Sequence, residues 1–306
     1  MKRVATFAVI GLSLVGAACG VGDTDVSSRP RSTAPITTTN PPPLDETELE
    51  LAEELWHSGF HVELTKAEVW TSTIFLTNRT QYWLTLWGDF ENQGDEAAWF
   101  DSEMAIVAAG VSYTHKRDDP PGILPESPAL GKLTFLIPED LDLQSAEFVI
   151  GATDESQVRI PLGSQGAAVR LEPIDVEVSG HLKTELVDFE FTGATLRYDL
   201  PNLHRQLEKG KMALTVYFDI TSRSPSDGSI TSDDIALILP DGSVLAPSVA
   251  DLGPLPGRDD GVTTADRTVS FVVDEMPSGD FTLRLVLGDP FVAEDGIVEV
   301  TFDFSL

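Results

Sequence analysis

The chain has 306 residues and carries 20 Lys and Arg against 50 Asp and Glu, a formal charge of −30. That balance argues against binding to nucleic-acid phosphates or to the face of an anionic bilayer, since both need a basic footprint. A hydrophobic fraction of 42% is too high for a wholly disordered chain, and a single Cys leaves no internal disulfide framework and no multi-cysteine metal site.

Lys2 and Arg3 open the chain, and residues 4–15 are apolar or small without a charge. A spanning helix needs roughly 20 apolar residues. This run has 12, so residues 1–18 read as a secretory signal peptide. Gly16-Ala17-Ala18 then lead into Cys19, the sole cysteine. The layout resembles a bacterial lipoprotein signal, in which the peptide is cut before the cysteine and the sulfur is acylated. Gly16 departs from the Leu that this family prefers at the third position before the cysteine. An ordinary secretory signal, cut near Ala18 and leaving a free thiol, is the alternative. The resemblance implies a lipid anchor such as palmitate at Cys19 and a place on the extracytoplasmic side of the cell membrane. Loss of Lys2 and Arg3 leaves 18 basic and 50 acidic residues, a balance of −32.

Residues 19–44 read as a tether. Thirteen of the 25 residues in 20–44 are Ser, Thr or Pro, a composition that favours solvated, extended chain. In polyproline conformation, at ~3.1 Å per residue, it would reach up to about 75 Å. The basic residues beyond the signal are mostly Arg, as in proteins of GC-rich genomes such as those of actinobacteria.

From residue 45 short runs of Val, Ile, Phe, Leu and Thr alternate with Gly, Pro, Asp and Ser clusters, which predicts strands. The best helical candidate is 45–56, with acidic residues in its first turn and Leu51/Leu55 and Ala52/Trp56 at i, i+4; a lead into the first strand fits as well. Beyond it the chain repeats itself. Residues 61–69 read like 188–196, 84–90 like 214–220, 100–106 like 231–237, and 133–137 like 269–273. Each half then adds an acidic turn, a further apolar strand (146–150 and 281–287) and a closing strand (157–162 and 297–304). A period of about 130 residues is domain-sized rather than solenoid-sized. The expected fold class is all-β: two tandem immunoglobulin-like β-sandwich domains, 45–172 and 173–306, without the Cys…Trp…Cys pin of antibody domains.

The strand order, the Leu-Thr-Leu-Trp-Gly-Asp-Phe-Glu-Asn run at 84–92 and the Leu-Thr-Phe-Leu-Ile-Pro run at 133–138 resemble telokin-like immunoglobulin-fold domains. Such domains occur in secreted and lipid-anchored bacterial proteins. The turn Glu91-Asn92-Gln93-Gly94 carries the resemblance best, and Thr221-Ser222-Arg223-Ser224 in the second copy departs from it. The family implies fold and location and supplies no catalytic residue.

No catalytic or metal constellation emerges. The His residues are 57, 61, 115, 181 and 204, with no His-Glu-x-x-His stretch. His57 and His61, if on one strand, stand some 13 Å apart. There is no P-loop, no Gly-x-Gly-x-x-Gly and no nucleophile elbow in the mature chain. Asn78-Arg79-Thr80 is formally a glycosylation sequon but reads as a hairpin turn. Asp259, Asp260 and Asp266 share one loop, and Asp227, Asp233 and Asp234 lie near another; both lack the EF-hand pattern and read as solvated loop tips. Asp241-Gly242 reads as a tight turn. No cofactor is expected.

The aromatic pattern says more. All five Trp (56, 70, 83, 87 and 99) fall in the first half. On the strand around 82–90, alternation puts Tyr82, Leu84, Leu86 and Phe90 on one face and Trp83, Thr85, Trp87 and Asp89 on the other. The second copy, with Met212, Leu214, Val216, Phe218 and Ile220 in one row, identifies the first of these faces as inner. Trp83 and Trp87, joined by Trp70, are then expected on an outer sheet face. They are covered there by the second half or by 45–58, or they are open as a binding surface. The whole reading is of a non-enzymatic, lipid-anchored envelope protein that meets an envelope protein or cell-wall glycan, with no nucleic acid as partner. The alternative is a secreted glycan-active hydrolase or its carbohydrate-binding accessory module, which would need two carboxylates across a cleft.

Overall fold

Period-two burial organises the first ordered segment. In Thr47–His57 (β1), Leu49, Leu51, Leu55 and His57 turn inward, while Glu48, Glu50, Ala52 and Glu54 turn out. Of the two readings of 45–56, the strand is the one seen over the described residues 47–56, and the helical candidate is not formed there. The Leu51/Leu55 pair satisfies a period of two as well as one of 3.6. An isolated helix of this length is marginal in water, whereas a ladder with the next strand satisfies the backbone and buries Leu55 completely. The structure, a computed structural model, describes residues 47–116, 122–257, 261–275, 277–288, 290–291 and 298–306. The signal peptide, Cys19 and the tether lie outside the described residues, as do Asp259 and Asp260.

The following strands are Phe60–Ile74 (β2), Arg79–Asn92 (β3), Met104–Ala108 (β4), Val111–Lys116 (β5), Ala129–Ile137 (β6), Glu147–Ile150 (β7) and Val158–Pro161 (β8). They form one antiparallel sheet in the order β1-β2-β3-β6-β5-β4-β7-β8. The second half runs Ile174–Val176 (β9), Gly180–Lys183 (β10), Val187–Arg197 (β11), Asp199–Leu200 (β12), Arg205–Gln206 (β13), Lys211–Ser222 (β14) and Gly228–Ser229 (β15). It continues through Ile235–Ile238 (β16), Val244–Leu245 (β17), Val249–Asp251 (β18), Pro254–Leu255 (β19), Val262–Asp274 (β20), Asp280–Leu287 (β21) and Val298–Ser305 (β22). One sheet orders β10-β11-β14-β20-β18 with β9 also on β11, and another orders β17-β16-β21-β22. The described fold is all-β, built of several antiparallel sheets.

The internal repeat is visible in the ladders. β2-β3-β6 corresponds to β11-β14-β20, and β4-β7-β8 to β16-β21-β22. Even the irregularities coincide. The register slips between Leu64 and Lys66 in the first half and between Phe191 and Gly193 in the second, positions the sequence repeat aligns. A one-residue bulge re-aims everything beyond it, so the shared bulge keeps both inner rows in phase. Asn92 and Ser222 also correspond in role. Asn92 Oδ1 accepts from Gly94 N at 2.9 Å, and Ser222 Oγ accepts from Ser224 N at 3.3 Å. The serine thus performs the turn closure that the asparagine performs in the first copy.

Apolar burial follows the two halves. One cluster gathers Leu55, Leu64, Leu84, Leu86, Ile106, Phe135 and Phe148, and another gathers Phe189, Leu214, Phe218, Phe271, Phe281 and Leu285. Between β11 and β14 the chain makes a short finger: β12, the turn Pro201–Leu203, His204 and β13. The residues just after it bond to first-half loops, with Ser156 N donating to Leu207 O at 3.0 Å and Lys209 N to Asp154 O at 2.9 Å. A Cβ at Gly94 would lie 2.7 Å from Pro201 O and from the His204 ring, so that contact needs a glycine. Asp241-Gly242 closes the β16–β17 hairpin as expected, with Gly242 at φ 83° and Asp241 Oδ1 accepting from Ser243 N at 2.9 Å.

Candidate functional site

Strand alternation carries the tryptophans to one place. On β3, Leu84, Leu86 and Phe90 are buried while Trp83 and Trp87 are half-buried on the opposite face. Trp70 of β2 is the registered partner of Trp83, and their rings stack with centroids 5.6 Å apart and planes 15° apart. The indole N–H of Trp70, Trp83 and Trp87 is in each case used within the sheet. Trp70 Nε1 donates to Thr85 Oγ1 at 3.0 Å, Trp83 Nε1 to Ser72 Oγ at 2.8 Å, and Trp87 Nε1 to Glu68 Oε2 at 3.2 Å. The rings are therefore fixed in orientation and offer their apolar faces rather than a free donor.

The cleft around them, about 400 Å³, is lined by Glu68, Trp70, Trp83, Thr85, Trp87, Lys132 and Thr134. All seven belong to β2, β3 and β6. Among the described residues neither β1, which continues the sheet edgewise beside β2, nor the second half contributes to this lining. Thr85 and Thr134 share a contact at 3.4 Å at the cleft floor and are buried.

The charge here is unlike that of the rest of the chain. Lys66 and Lys132 stand 5.6 Å and 6.0 Å from the Trp87 ring centre, and Lys116 stands 5.8 Å from that of Trp83. These are three of the seven lysines in the chain. Cations at that range are attracted to the ring face. Lys66 is also held by Glu48 at 3.2 Å. Sequence alternation locates the three tryptophans. Thr85 is legible with them, whereas the lysines and Thr134 are missed because they come from strands other than β3, although Lys132 and Thr134 share one face of β6.

His57 and His61 do not come together. A two-residue turn, Ser58-Gly59, with φ of 51° and 81°, puts His57 and His61 on neighbouring strands, not along one as the 13 Å spacing assumes. His61 lies on the outside, stacked on Trp56 at 4.7 Å and near Glu54 and Glu91. His57 points inward and is 1% exposed. Burial pushes its pKa down from 6.5 to about 4, with Asp199 pulling the other way. The acidic candidates hold backbone in place, and Asp266 lies in β20 rather than in the expected loop. Asp234 Oδ2 accepts from Thr231 N at 2.7 Å, Asp227 Oδ1 from Gly257 N at 2.7 Å, and the backbone N–H of Asp266 donates to Asp219 at 3.0 Å. Among the described residues no group of three or more His, Cys, Asp or Glu could hold a metal ion, and no helix is long and apolar enough to cross a membrane. Asn78, at φ 51°, lies in the connection between β2 and β3.

No protein-family model and no curated protein matches the chain. A solved structure, the crystal structure of the conserved domain protein from Bacillus anthracis, covers 85% of this chain and 90% of that one at 12% identity and a TM-score of 0.25. A likeness at that level assigns neither fold nor function.

Proposed function

We propose that the chain is a non-enzymatic cell-envelope protein, anchored by lipid at Cys19, that displays two tandem immunoglobulin-like domains, 45–172 and 173–306, and binds an acidic envelope glycan on its tryptophan face. The observation that carries the binding half of this reading is the union of three fixed indoles with Lys66, Lys116 and Lys132 on a chain of charge −30. Flat apolar rings suit the face of a sugar ring, and the ammonium groups suit its carboxylates. Burying aromatic faces supplies affinity, and the local charge supplies selection against neutral ligands. The domain reading is supported by the repeated ladders and by the separate apolar clusters. The anchor is supported by the signal layout that ends at Cys19.

Two measurements test it. An alginate hexasaccharide should bind the protein more tightly than neutral cellohexaose, and Trp87→Ala/Lys132→Ala should weaken alginate binding at least tenfold. Equal binding of both sugars, or by both proteins, would count against the site. Separately, mass spectrometry of the mature wild type should find Cys19 acylated, and Cys19→Ser should remove that modification or stall processing; an unmodified thiol at Cys19 in the mature wild type would end the anchor reading.

A further inference from the structure

The β2–β3 hairpin runs on beyond the tryptophan face. Of residues 71–80 only Ser72 is even partly covered, and at the turn Phe75 is 96% exposed and Leu76 is 91% exposed, with Ile74 beside them at 37%. The turn is well formed: Asn78 N donates to Ile74 O at 2.8 Å, and Thr77 N to the same oxygen at 3.2 Å. An ordered hairpin thus holds three consecutive apolar side chains out at its apex. Single exposed apolar residues need no explanation, but a cluster presented on a projecting element marks a contact.

Charge identifies the kind of contact. Residues 69–88 contain no Asp or Glu, and Arg79 is their only charged residue. This is the longest acid-free stretch after residue 45 in a chain with 50 acidic residues. The other side chains around the apex are Thr71, Ser72, Thr73, Thr77, Asn78, Thr80 and Gln81, which are uncharged. A carboxylate there would have to be desolvated on entering an apolar medium, and residues 69–88 have none.

We infer that the tip of this hairpin, Ile74-Phe75-Leu76, inserts into the interface of a lipid bilayer. A convex apolar finger without a surrounding shaped surface suits a fluid medium, which needs no complementary pocket. The heights also agree. The Trp70–Trp83 pair stands four register steps above the Ile74–Arg79 pair, about 14 Å at ~3.4 Å per residue. With the apex some 5–10 Å below the acyl boundary, as for interfacial segments, these rings reach the headgroup level where Trp is enriched. Trp87, paired with Lys66, stands about 27 Å up the ladder, clear of the bilayer and free to meet glycan. The net charge makes a strongly anionic surface the poorer target. The insertion does not depend on acylation at Cys19 or on glycan binding.

The test uses the full chain carrying Cys19→Ser, so that no acyl chain contributes, and phosphatidylcholine vesicles. The protein should sediment with the vesicles, and Phe75→Ser/Leu76→Ser should weaken that binding at least tenfold while leaving alginate affinity unchanged. Both residues are so exposed that the fold does not rely on them. Leu76→Trp should give an emission blue-shift with vesicles and be quenched by lipids brominated along the acyl chain. Absence of binding, equal binding by the double variant, or an unquenched Trp at 76 would overturn the inference. Concentration-dependent self-association that the double variant abolishes would assign the tip to a second copy of the chain, and would overturn it too.

Discussion

Asp199→Ala should destabilise the folded chain by about 3–5 kcal/mol, the range for stripping one partner from a buried ion pair. Arg197 and Asp199 flank the start of the finger between β11 and β14, with side chains 11% and 4% exposed. Asp199 Oδ1 accepts from Arg197 Nε at 2.8 Å, and its Oδ2 accepts from the backbone of Gly59 at 2.6 Å. Arg197 Nη2 also donates to Gln93 Oε1 at 2.9 Å. Removing the carboxylate leaves a guanidinium buried without its counter-charge and the Gly59 N–H without an acceptor. Folding stabilities of domains are ~5–15 kcal/mol, so urea unfolding will resolve the loss easily. Arg197→Leu/Asp199→Leu, which removes both charges, should recover more than half of it. A single variant within 1 kcal/mol of wild type would show that this polar joint contributes little.

Stability should also fall as the pH drops from 7.5 to 5, and His57 should account for about 2 kcal/mol of the fall. The folded-state pKa of His57, about 4, lies below the 6.5 of the free side chain. The unfolded chain therefore takes up the proton first, and stability is fully present above pH 6.5 and lost as the pH falls toward 4. At 1.36 kcal/mol per unit, the interval from 6.5 to 5 gives about 2 kcal/mol. The groups around His57 are Asp199, with Asp101, Glu103, Glu155, His204 and Arg205 along the same cleft. Carboxylates elsewhere also titrate, so the informative quantity is the difference between wild type and His57→Gln. Denaturant unfolding at the two pH values should show a loss smaller by about 2 kcal/mol in His57→Gln. Identical pH dependence in the two proteins would mean that His57 is protonated as readily in the folded state as in the unfolded one.

The legible parts of this protein are those with a short period. Alternation along 82–90 identifies which side chains of β3 face inward, and the second copy settles the sign, because its row from Met212 to Ile220 has no competing aromatic on the outer face except Tyr217. The choice between strand and helix at β1 stays open in the sequence for a simple reason: Leu51 and Leu55 fit both periods, and only the ladder with β2 decides. The lysine ring was not legible, since Lys66, Lys116 and Lys132 lie far apart in sequence and meet only through the β2-β3-β6-β5 order. The polar joint was hidden for the same reason. Arg197-x-Asp199 is unremarkable as a string, and Gly59 and Gly94 gain their meaning only when the finger from the second half packs against them. His57 illustrates the general difficulty. Its inward direction follows from a turn at Ser58-Gly59 that reading 57–61 as one strand conceals.

The account rests on the tryptophan face as the place where ligand binds, and the five indoles make that directly observable. In a spectrum of the ¹⁵N-labelled protein, each Trp gives one Nε1–H signal, assigned by substitution. On addition of the alginate hexasaccharide, the signals of Trp70, Trp83 and Trp87 should shift together, saturating at one dissociation constant, while those of Trp56 and Trp99 stay in place. Five unmoved signals, or shifts confined to Trp56 and Trp99, would contradict it.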